Sequence, residues 1–184
     1  SDGTNSSTQT ITINITNVND NSPTITSGSS FTTVENQTVI GTVTSTDADG
    51  DTLSYSLSGT DASSMSINSS SGVLTFNSAP DYETKSSYSA TVTSSDGTNS
   101  TSQTITVTIL DVDDVAPTFT SNATFSAAEN QTSIGTVTAT DTDTDDSSIV
   151  FSVSGSELAI TSGGVLTFVS APDYETKSSY SATV

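Results

Sequence analysis

The side chains of this sequence that could do chemistry are mostly carboxylates, and they recur at fixed positions. The 184 residues include 21 Asp and Glu against two Lys, a net charge of −19. Three acidic segments occur twice: 34–38 returns as 128–132, 47–49 as 141–143, and 79–92 letter for letter as 171–184. Hard cations such as Ca²⁺ take carboxylate, amide and backbone oxygens as ligands. Repeated acids in a constant frame therefore predict a metal-binding array more strongly than an enzyme.

Several other kinds of chemistry are excluded or disfavoured by composition. The chain has no Cys and no His, which removes disulfides, thiolate metal sites and the usual general base. Its acidity argues against nucleic acid and anionic membrane surfaces as partners. No apolar run is long enough to span a bilayer, and no signal peptide is visible. The carboxylate pair Asp81 and Glu83 could suggest a glycosidase. An active site duplicated in each repeat is unusual, however, so we predict no enzyme.

The elements that must position these acids are β-strands. Apolar residues alternate with polar ones over 10–15, 53–57, 73–76, 88–92 and 104–109. A period of two with β-branched residues predicts strands that bury one face. Short strands separated by Gly, Asn, Asp and Ser are typical of an all-β sandwich. No window shows the spacing of an amphipathic helix.

The repeat frame predicts three segments. Residues 1–20 resemble 95–114 and are the last strand of a preceding repeat, or a strand donated to a neighbouring chain. Residues 21–110 are a complete repeat with its leading linker, and residues 111–184 are a second repeat that lacks its last strand. Either the chain is a segment of a long array, or residues 4–18 of one copy complete the sandwich of residues 118–184 of another. Head-to-tail filling of this kind, if it does not close, gives a filament.

The acids can gather at the junctions between repeats. At one end of a sandwich, Glu35, Asp81 and Glu83 could meet the linker 111–115, and 141–143 of the next repeat could meet it from the other side. Carboxylates crowded in this way repel one another, which is a physical reason to expect bound cations. The isolated acids Asp51, Asp61, Asp145, Asp146 and Glu157 are interpreted as solvated surface charges.

Five motifs in a constant order resemble a known family. They are the early Glu35, Asp47-Ala48-Asp49, Asp81-Tyr82-Glu83, Asp96-Gly97 and the linker from Asn17 to Pro23. In these features the chain resembles a run of cadherin repeats, of the cadherin-like kind found in large bacterial surface proteins. The resemblance implies tandem Greek-key β-sandwiches, cadherin- or immunoglobulin-like, that are joined by calcium-binding linkers and stiffened by Ca²⁺ into a rod.

The resemblance also implies a ligand set for each junction. At the second junction, Val112 and Val115 would bind through backbone carbonyls, and Asp2 of a neighbouring chain would supply a missing carboxylate. The other ligands there are Glu35, Asp81, Glu83, Asp111, Asp113, Asp114, Asp141 and Asp143. At the first junction they are Asn19, Asp20, Asn21, Asp47, Asp49 and Asp96, with Glu129, Asp173 and Glu175 from another copy.

The function expected from these features is structural and extracellular. The chain would be a calcium-rigidified module of a surface protein for cell adhesion, or alternatively a filament subunit assembled by strand donation. A polysaccharide-binding module is a further alternative. The expected partners are other copies of the repeat, in the same chain or by strand donation, and polysaccharide or another surface protein. Nucleic acid and membrane insertion are not expected.

Overall fold

The chain folds into two compact units. The computed structural model describes residues 3–143 and 148–184, and the chain divides into Ser1–Leu110 and Asp111–Val184. We call these the first unit and the second unit. Asp2, Asp145 and Asp146 lie outside the described residues. Among the residues that are described, no helix has the length and hydropathy of a membrane span.

The described residues of the first unit form nine strands and one short 3₁₀ helix at Ala62–Ser64. The strands are β1 (Thr24–Ile25), β2 (Ser30–Val34), β3 (Val39–Thr42), β4 (Ser45–Thr46), β5 (Ser54–Ser58), β6 (Met65–Ile67), β7 (Val73–Phe76), β8 (Ser87–Ser95) and β9 (Ser100–Leu110). The predicted strands at 53–57, 73–76, 88–92 and 104–109 correspond to β5, β7, β8 and β9. The prediction of an all-β fold is confirmed.

Two sheets of the first unit enclose its core. One sheet has the order β2-β9-β8-β5 and the other the order β3-β7-β6, while β1 and β4 form a separate pair. β9 lies parallel to β2 and antiparallel to β8, along which it pairs from Ser87 opposite Thr108 to Ser95 opposite Ser100. Its alternation turns Ile105, Val107 and Ile109 inward, where they are at most 1% exposed. They join residues such as Leu74 and Phe76 of the other sheet in one cluster. This two-layer arrangement is the predicted β-sandwich.

The second unit repeats only part of this architecture in the residues described. Its strands are β10 (Thr118–Phe119), β11 (Ser133–Thr136), β12 (Ala139–Thr140), β13 (Leu158–Ile160) and β14 (Val165–Phe168). β10 pairs with β12 as β1 pairs with β4, and the order β11-β14-β13 matches β3-β7-β6. The described residues of the second unit form no counterpart of the four-stranded sheet.

The described residues 10–15 form no strand, and their assignment to the last strand of a preceding repeat or to a donated strand stays a prediction. Residues 4–20 contain no strand, and Ile11, Ile13 and Ile15 are 75–93% exposed. Alternation alone does not make a strand, because the backbone needs a paired neighbour and the apolar face needs a core. The segment finds neither among the described residues.

The packing of β7 provides a test of the core. Replacing Leu74, which is fully buried, by Ala should lower the free energy of unfolding of the first unit by about 2–5 kcal/mol, because it leaves a cavity between the sheets. The neighbouring Val73 points outward, and Val73→Ala is the matched control with an expected loss under about 1 kcal/mol. Hydrogen-exchange protection of the β8 and β9 amides measures the effect in the whole chain. Equal losses in the two variants would contradict the assigned core.

Candidate metal centres

Three acids meet where the chain leaves the first unit. Glu35, Asp81 and Glu83 each place one carboxylate oxygen within 4.8 Å of the others, and we call this group the exit cluster. The Glu35 backbone N–H donates to the carbonyl of Leu110, the last residue of β9, at 3.1 Å. Glu35 Oε2 accepts the backbone N–H of Tyr82 at 2.8 Å. The exit cluster is therefore fixed to the end of the unit that precedes Asp111.

A left-handed turn holds the two halves of the exit cluster together. Asn36 has a φ of 60°, a region that Asn tolerates better than most residues, and its N–H donates to the carbonyl of Pro80 at 3.0 Å. The second unit repeats this construction: Asn130 has a φ of 62° and its N–H donates to Pro172. Glu129 Oε2 likewise accepts the N–H of Tyr174 at 3.1 Å. The second unit thus carries its own exit cluster, formed by Glu129, Asp173 and Glu175.

A second acidic group lies at the start of the first unit. Asp47, Asp49 and Asp51 bring carboxylate oxygens within 4.8 Å of one another, and we call them the entry cluster. Asp49 Oδ2 accepts the backbone N–H of Asp20 at 3.0 Å and of Asn21 at 2.8 Å. The side-chain amide of Asn21 adds a bond to Asp49 Oδ1 at 2.8 Å. Asp49 therefore fixes the linker that precedes β1 to the entry cluster.

The loop between β8 and β9 completes this end of the unit. Asp96 Oδ1 accepts the backbone N–H groups of Thr98 at 2.7 Å and Asn99 at 2.6 Å. The Asn99 side chain donates to Asn19 Oδ1 and to the Asn21 carbonyl, both at 3.3 Å. Sequence reasoning did not single out Asn99. Its partners Asn19 and Asn21 are 80 and 78 positions away, so no local pattern could have identified it.

The second unit holds its own linker in the same way. Asp143 Oδ2 accepts the N–H groups of Asp114 and Val115, each at 2.6 Å, as Asp49 does for Asp20 and Asn21. Asp141 Oδ1 accepts the N–H of Asp143 at 3.3 Å. The remaining linker residues 111–113 are exposed. Of the ligands predicted here, Asp114 and Val115 are therefore joined to Asp143, whereas Asp2 lies outside the described residues.

Four carboxylate oxygens indicate which kind of ligand the acidic groups can bind. Asp47 Oδ2, Asp51 Oδ2, Asp96 Oδ2 and Asp143 Oδ1 are inaccessible, and none accepts a hydrogen bond from any described residue. A buried carboxylate oxygen without a donor is costly, and such atoms are rare in folded proteins. A bound cation would satisfy them. Because every donor here is an oxygen, the set fits a hard cation such as Ca²⁺ rather than a transition metal.

The pKa values of these acids report crowding as well as hydrogen bonding. Burial raises the pKa of Asp51, and the neighbouring charges of Asp47 and Asp49 raise it further. The pKa of Asp49 is lowered, chiefly because the backbone N–H of Asn21 donates to its carboxylate. In the second unit a shared hydrogen bond raises the pKa of Asp141 and lowers that of Asp143. A cation would relieve the repulsion that these shifts reveal.

Two acids interpreted as solvated surface charges are not solvated. Asp51 lies half-buried in the entry cluster because Gly50, with a φ of 80°, turns the loop back towards Asp47. The sequence signal that was missed is the regular spacing of Asp47, Asp49 and Asp51, in which Asp51 is the third acid. Asp61, with a side chain 13% exposed, accepts bonds from Lys85 Nζ and from the Ser89 N–H. Glu157 pairs with Lys177 at 2.6 Å but stays exposed.

β-Sandwich units in tandem, with acids gathered at their ends, define a tandem-repeat protein with candidate cation sites. Residues 29–110 match the family model of the cadherin domain. Residues 29–110 therefore belong to the cadherin-domain family, and the resemblance drawn from the motifs is confirmed. Because the matching family is the cadherin domain, the prediction that this chain is not an enzyme is also confirmed. The bacterial origin stays a prediction.

The relatives by sequence are much longer proteins. The chain is 35% identical over 152 residues to protocadherin Fat 4 of Mus musculus, covering 75% of this chain and 3% of the relative. It is 37% identical over 87 residues to cadherin-related family member 2 of Mus musculus, covering 47% of this chain and 7% of the relative. The chain therefore spans only a small part of the proteins it resembles.

Solved structures of tandem cadherin repeats share the fold. Human protocadherin-24 EC1-2 superimposes with a TM-score of 0.70 at 23% identity, covering 87% of this chain and 82% of the other. Mouse cadherin-23 EC22-24 gives a TM-score of 0.69 at 27% identity, with 86% and 57% covered. These matches confirm the prediction of tandem β-sandwiches.

The Asp61–Lys85 pair generates a pH prediction. The hydrogen bond from Lys85, followed by the one from Ser89, lowers the pKa of Asp61 below its ordinary value of 3.8. The pair therefore stabilises the first unit at neutral pH, and this contribution is lost as the pH falls through the lowered pKa. Asp61→Asn should cost about 1 kcal/mol near pH 6, a value reduced because Lys85 is partly solvated.

Urea unfolding of wild type and variant over a descending pH series checks this expectation. The difference between them should shrink towards zero at the acid end of the series. Glu157→Gln is the control, because its pair with Lys177 is exposed on both sides and should contribute under about 0.5 kcal/mol. A loss for Asp61→Asn that is independent of pH would show that the charge is not responsible.

Proposed function

We propose that this chain is a calcium-rigidified module of an extracellular, cadherin-type surface protein with an adhesive role. The observation that carries the proposal is a set of buried carboxylate oxygens that have no hydrogen-bond donor. They belong to three predicted ligands, Asp47, Asp96 and Asp143, and to Asp51. Membership of the cadherin-repeat family supports the same conclusion.

The proposed ligands fall into groups within each unit. At the start of the first unit they are Asn19, Asp20, Asn21, Asp47, Asp49, Asp51 and Asp96. At the start of the second unit they are Asp111, Val112, Asp113, Asp114, Val115, Asp141 and Asp143. The exit clusters are Glu35, Asp81 and Glu83 in the first unit and Glu129, Asp173 and Glu175 in the second.

Chain connectivity gives these groups a mechanical role. The exit cluster is held at Leu110 by the Glu35 N–H, and Asp111 is the next residue in the chain. Three residues later, Asp114 and Val115 are already bonded to Asp143 of the second unit. The stretch 111–113 connects these two anchored points, and acids on both sides of it are predicted ligands. Bound Ca²⁺ would neutralise these acids, so that their carboxylates could lie close together. The bound ion would also restrict the motion of residues 111–113.

The proposed extracellular location rests on the calcium affinity that is typical of such sites. Calcium modules of extracellular proteins bind at about 10⁻⁴ to 10⁻³ M, which suits external fluids rather than cytosol. The proposed partners are further cadherin-type repeats, in the same chain or on neighbouring molecules. The family membership favours this adhesion-type module over the alternative of a polysaccharide-binding module.

Calcium affinity tests the ligand assignment. Asp51→Asn should weaken calcium binding by roughly tenfold or more, because it removes a charge from the crowded entry cluster. Asp61→Asn makes the same chemical change outside every cluster and should leave the affinity within about twofold of wild type. Isothermal titration of chelator-treated protein measures both. Equal affinities in the two variants would contradict the inclusion of Asp51, and no calcium binding by the wild type would contradict the proposed function.

Small-angle scattering tests the mechanical role. With calcium, the chain should have a fixed maximum dimension, and with chelator it should become a broader, flexible ensemble. Asp114→Ala should move the calcium-bound sample towards the flexible ensemble more than Asp61→Ala does, because only Asp114 lies in the linker. Dilute samples keep association from contributing to the curves. Identical curves with calcium and with chelator would rule out rigidification.

A further inference from the structure

Three buried hydroxyl groups of the first unit have no hydrogen-bond partner among the described residues. They are the Oγ atoms of Ser27, Ser45 and Ser94, and all three are inaccessible to solvent. Ser94 is 0% exposed as a whole residue. A buried hydroxyl without a partner costs free energy, and most buried polar atoms in folded proteins have one. These groups therefore point to a small polar ligand inside the first unit.

Ser94 lies between the hydrophobic core and the acids at the end of β8. The inward-facing residues Ala90, Val92 and Ser94 are at most 2% exposed, and Asp96 is the next residue of this row. The hairpin continues as far as Asp96, because its N–H donates to the carbonyl of Asn99 at 3.2 Å. Residues two apart on a strand are separated by roughly 7 Å, so Ser94 lies one layer below Asp96.

Ser45 has the same relation to Asp47 that Ser94 has to Asp96. It faces inward on β4, and Asp47 is the next residue of that row. Ser27 lies beside it, because the Ser27 N–H donates to the carbonyl of Thr44 at 3.3 Å.

The two rows end at the same place. Asn99, which is bonded to Asp96, donates its side chain to the Asn21 carbonyl, and the Asn21 N–H donates to Asp49 of the entry cluster. The two serines that precede Asp47 and Asp96 in these rows therefore both lie beneath the entry cluster.

Small side chains at this level leave space between the two layers. Ser94 belongs to the four-stranded sheet, whereas β4 begins two residues after β3 of the other sheet. Facing sheets pack about 10 Å apart, a distance that two serine side chains do not fill. The ring of Tyr55, which pairs opposite Ser94, reaches across to Gly72 beside Val43 and closes one side of this space.

We propose that Ser45 and Ser94 bind one buried water molecule beneath the entry cluster. The two hydroxyls donate to the water, and the water donates to Asp47 Oδ2 and Asp96 Oδ2, which have no donor among the described residues. Buried waters make about three hydrogen bonds, within a range of two to four, so this set is sufficient. Each carboxylate oxygen has two acceptor positions, and the second remains open to a cation.

The second unit indicates that the fold does not require the Ser45 hydroxyl. Ala139 of β12 lies opposite Phe119 of β10, as Ser45 of β4 lies opposite Ile25 of β1. The same strand pair thus forms with a methyl group at this position. A hydroxyl that the strand does not need, and that burial penalises, is explained by a ligand that it binds.

The water would make Ser45 and Ser94 positioning residues for the acids above them. A water that donates to Asp47 and Asp96 holds each carboxylate in one orientation and offsets part of the repulsion between them. The effect on cation binding rests on the proposed function, whereas the water site does not. Its test is therefore made in chelator, on the full chain.

Oxygen-17 magnetic relaxation dispersion of the solvent detects internal waters that exchange slowly. Ser45→Ala and Ser94→Ala should each reduce the dispersion of the wild type by the amplitude of one water. The double variant should lose no more than either single variant, because the two hydroxyls share one molecule. Ser56→Ala makes the same change on the exposed face of β5 and should leave the dispersion unchanged.

Three results would overturn the water site. They are a dispersion that neither single variant alters, a loss in the double variant equal to two waters, and an equal loss in Ser56→Ala. The thermal midpoint gives an independent check. Ser94→Ala should lower the Tm in chelator, because a hydrogen-bonded group is removed. A higher Tm would show that the hydroxyl had no ligand, since removing an unsatisfied buried group stabilises the fold.

Calcium titration tests the positioning role separately. Ser94→Ala should weaken calcium binding by about tenfold, the effect expected when a group that orients a metal ligand is lost. An unchanged affinity would overturn the positioning role. A wild type that binds no calcium but loses one water in each serine variant would contradict the proposed function and leave the water site standing.

Discussion

The position of β9 between β2 and β8 is the constraint on which the first unit depends. Its inward side chains supply Ile105, Val107 and Ile109 to the core. Its end fixes Glu35 through Leu110, and the loop before it carries Asp96 and Asn99 to the linker. One long strand therefore closes the sheet and ties the acids at both ends of the unit to the same rigid element.

The acidic clusters combine two roles that are often separated. Asp49 and Asp143 are hydrogen-bond acceptors that hold the linkers in place, Asp49 with both carboxylate oxygens and Asp143 with one. In Asp143 the other oxygen has no donor among the described residues. A carboxylate that has one oxygen hydrogen-bonded to the linker and the other without a donor is already oriented before a cation binds. Such preorganisation lowers the cost of ordering the ligands on binding.

Sequence alternation predicted the long strands well because each of them buries one face. β5, β7, β8 and β9 all follow the period of two. The segment 10–15 has the same pattern but no strand, because pairing depends on a partner that local sequence does not specify. The two-residue strands β1, β4, β10 and β12 are too short to carry a pattern and were not anticipated.

The candidate sites were predictable to the extent that their residues repeat. The recurring frame identified Glu35, Asp81 and Glu83, which the fold brings together across more than forty positions. Asp51 was missed because its role depends on the turn at Gly50. Asn99 was missed because its contacts are with the distant linker. Repetition thus indicated which acids lie close together, while loop conformation decided which neighbours join them.

The two lysines have a consequence for the physical character of the molecule. Lys85 and Lys177 are the only basic side chains in the sequence, and each is engaged by an acid outside the clusters and by a tyrosine ring. No further basic side chain in the sequence is therefore left to neutralise the acids at the ends of the units. The cations that balance this negative charge have to come from the surrounding solution. Under the proposed function, the stiffness of the linker would therefore depend on the calcium concentration around the molecule.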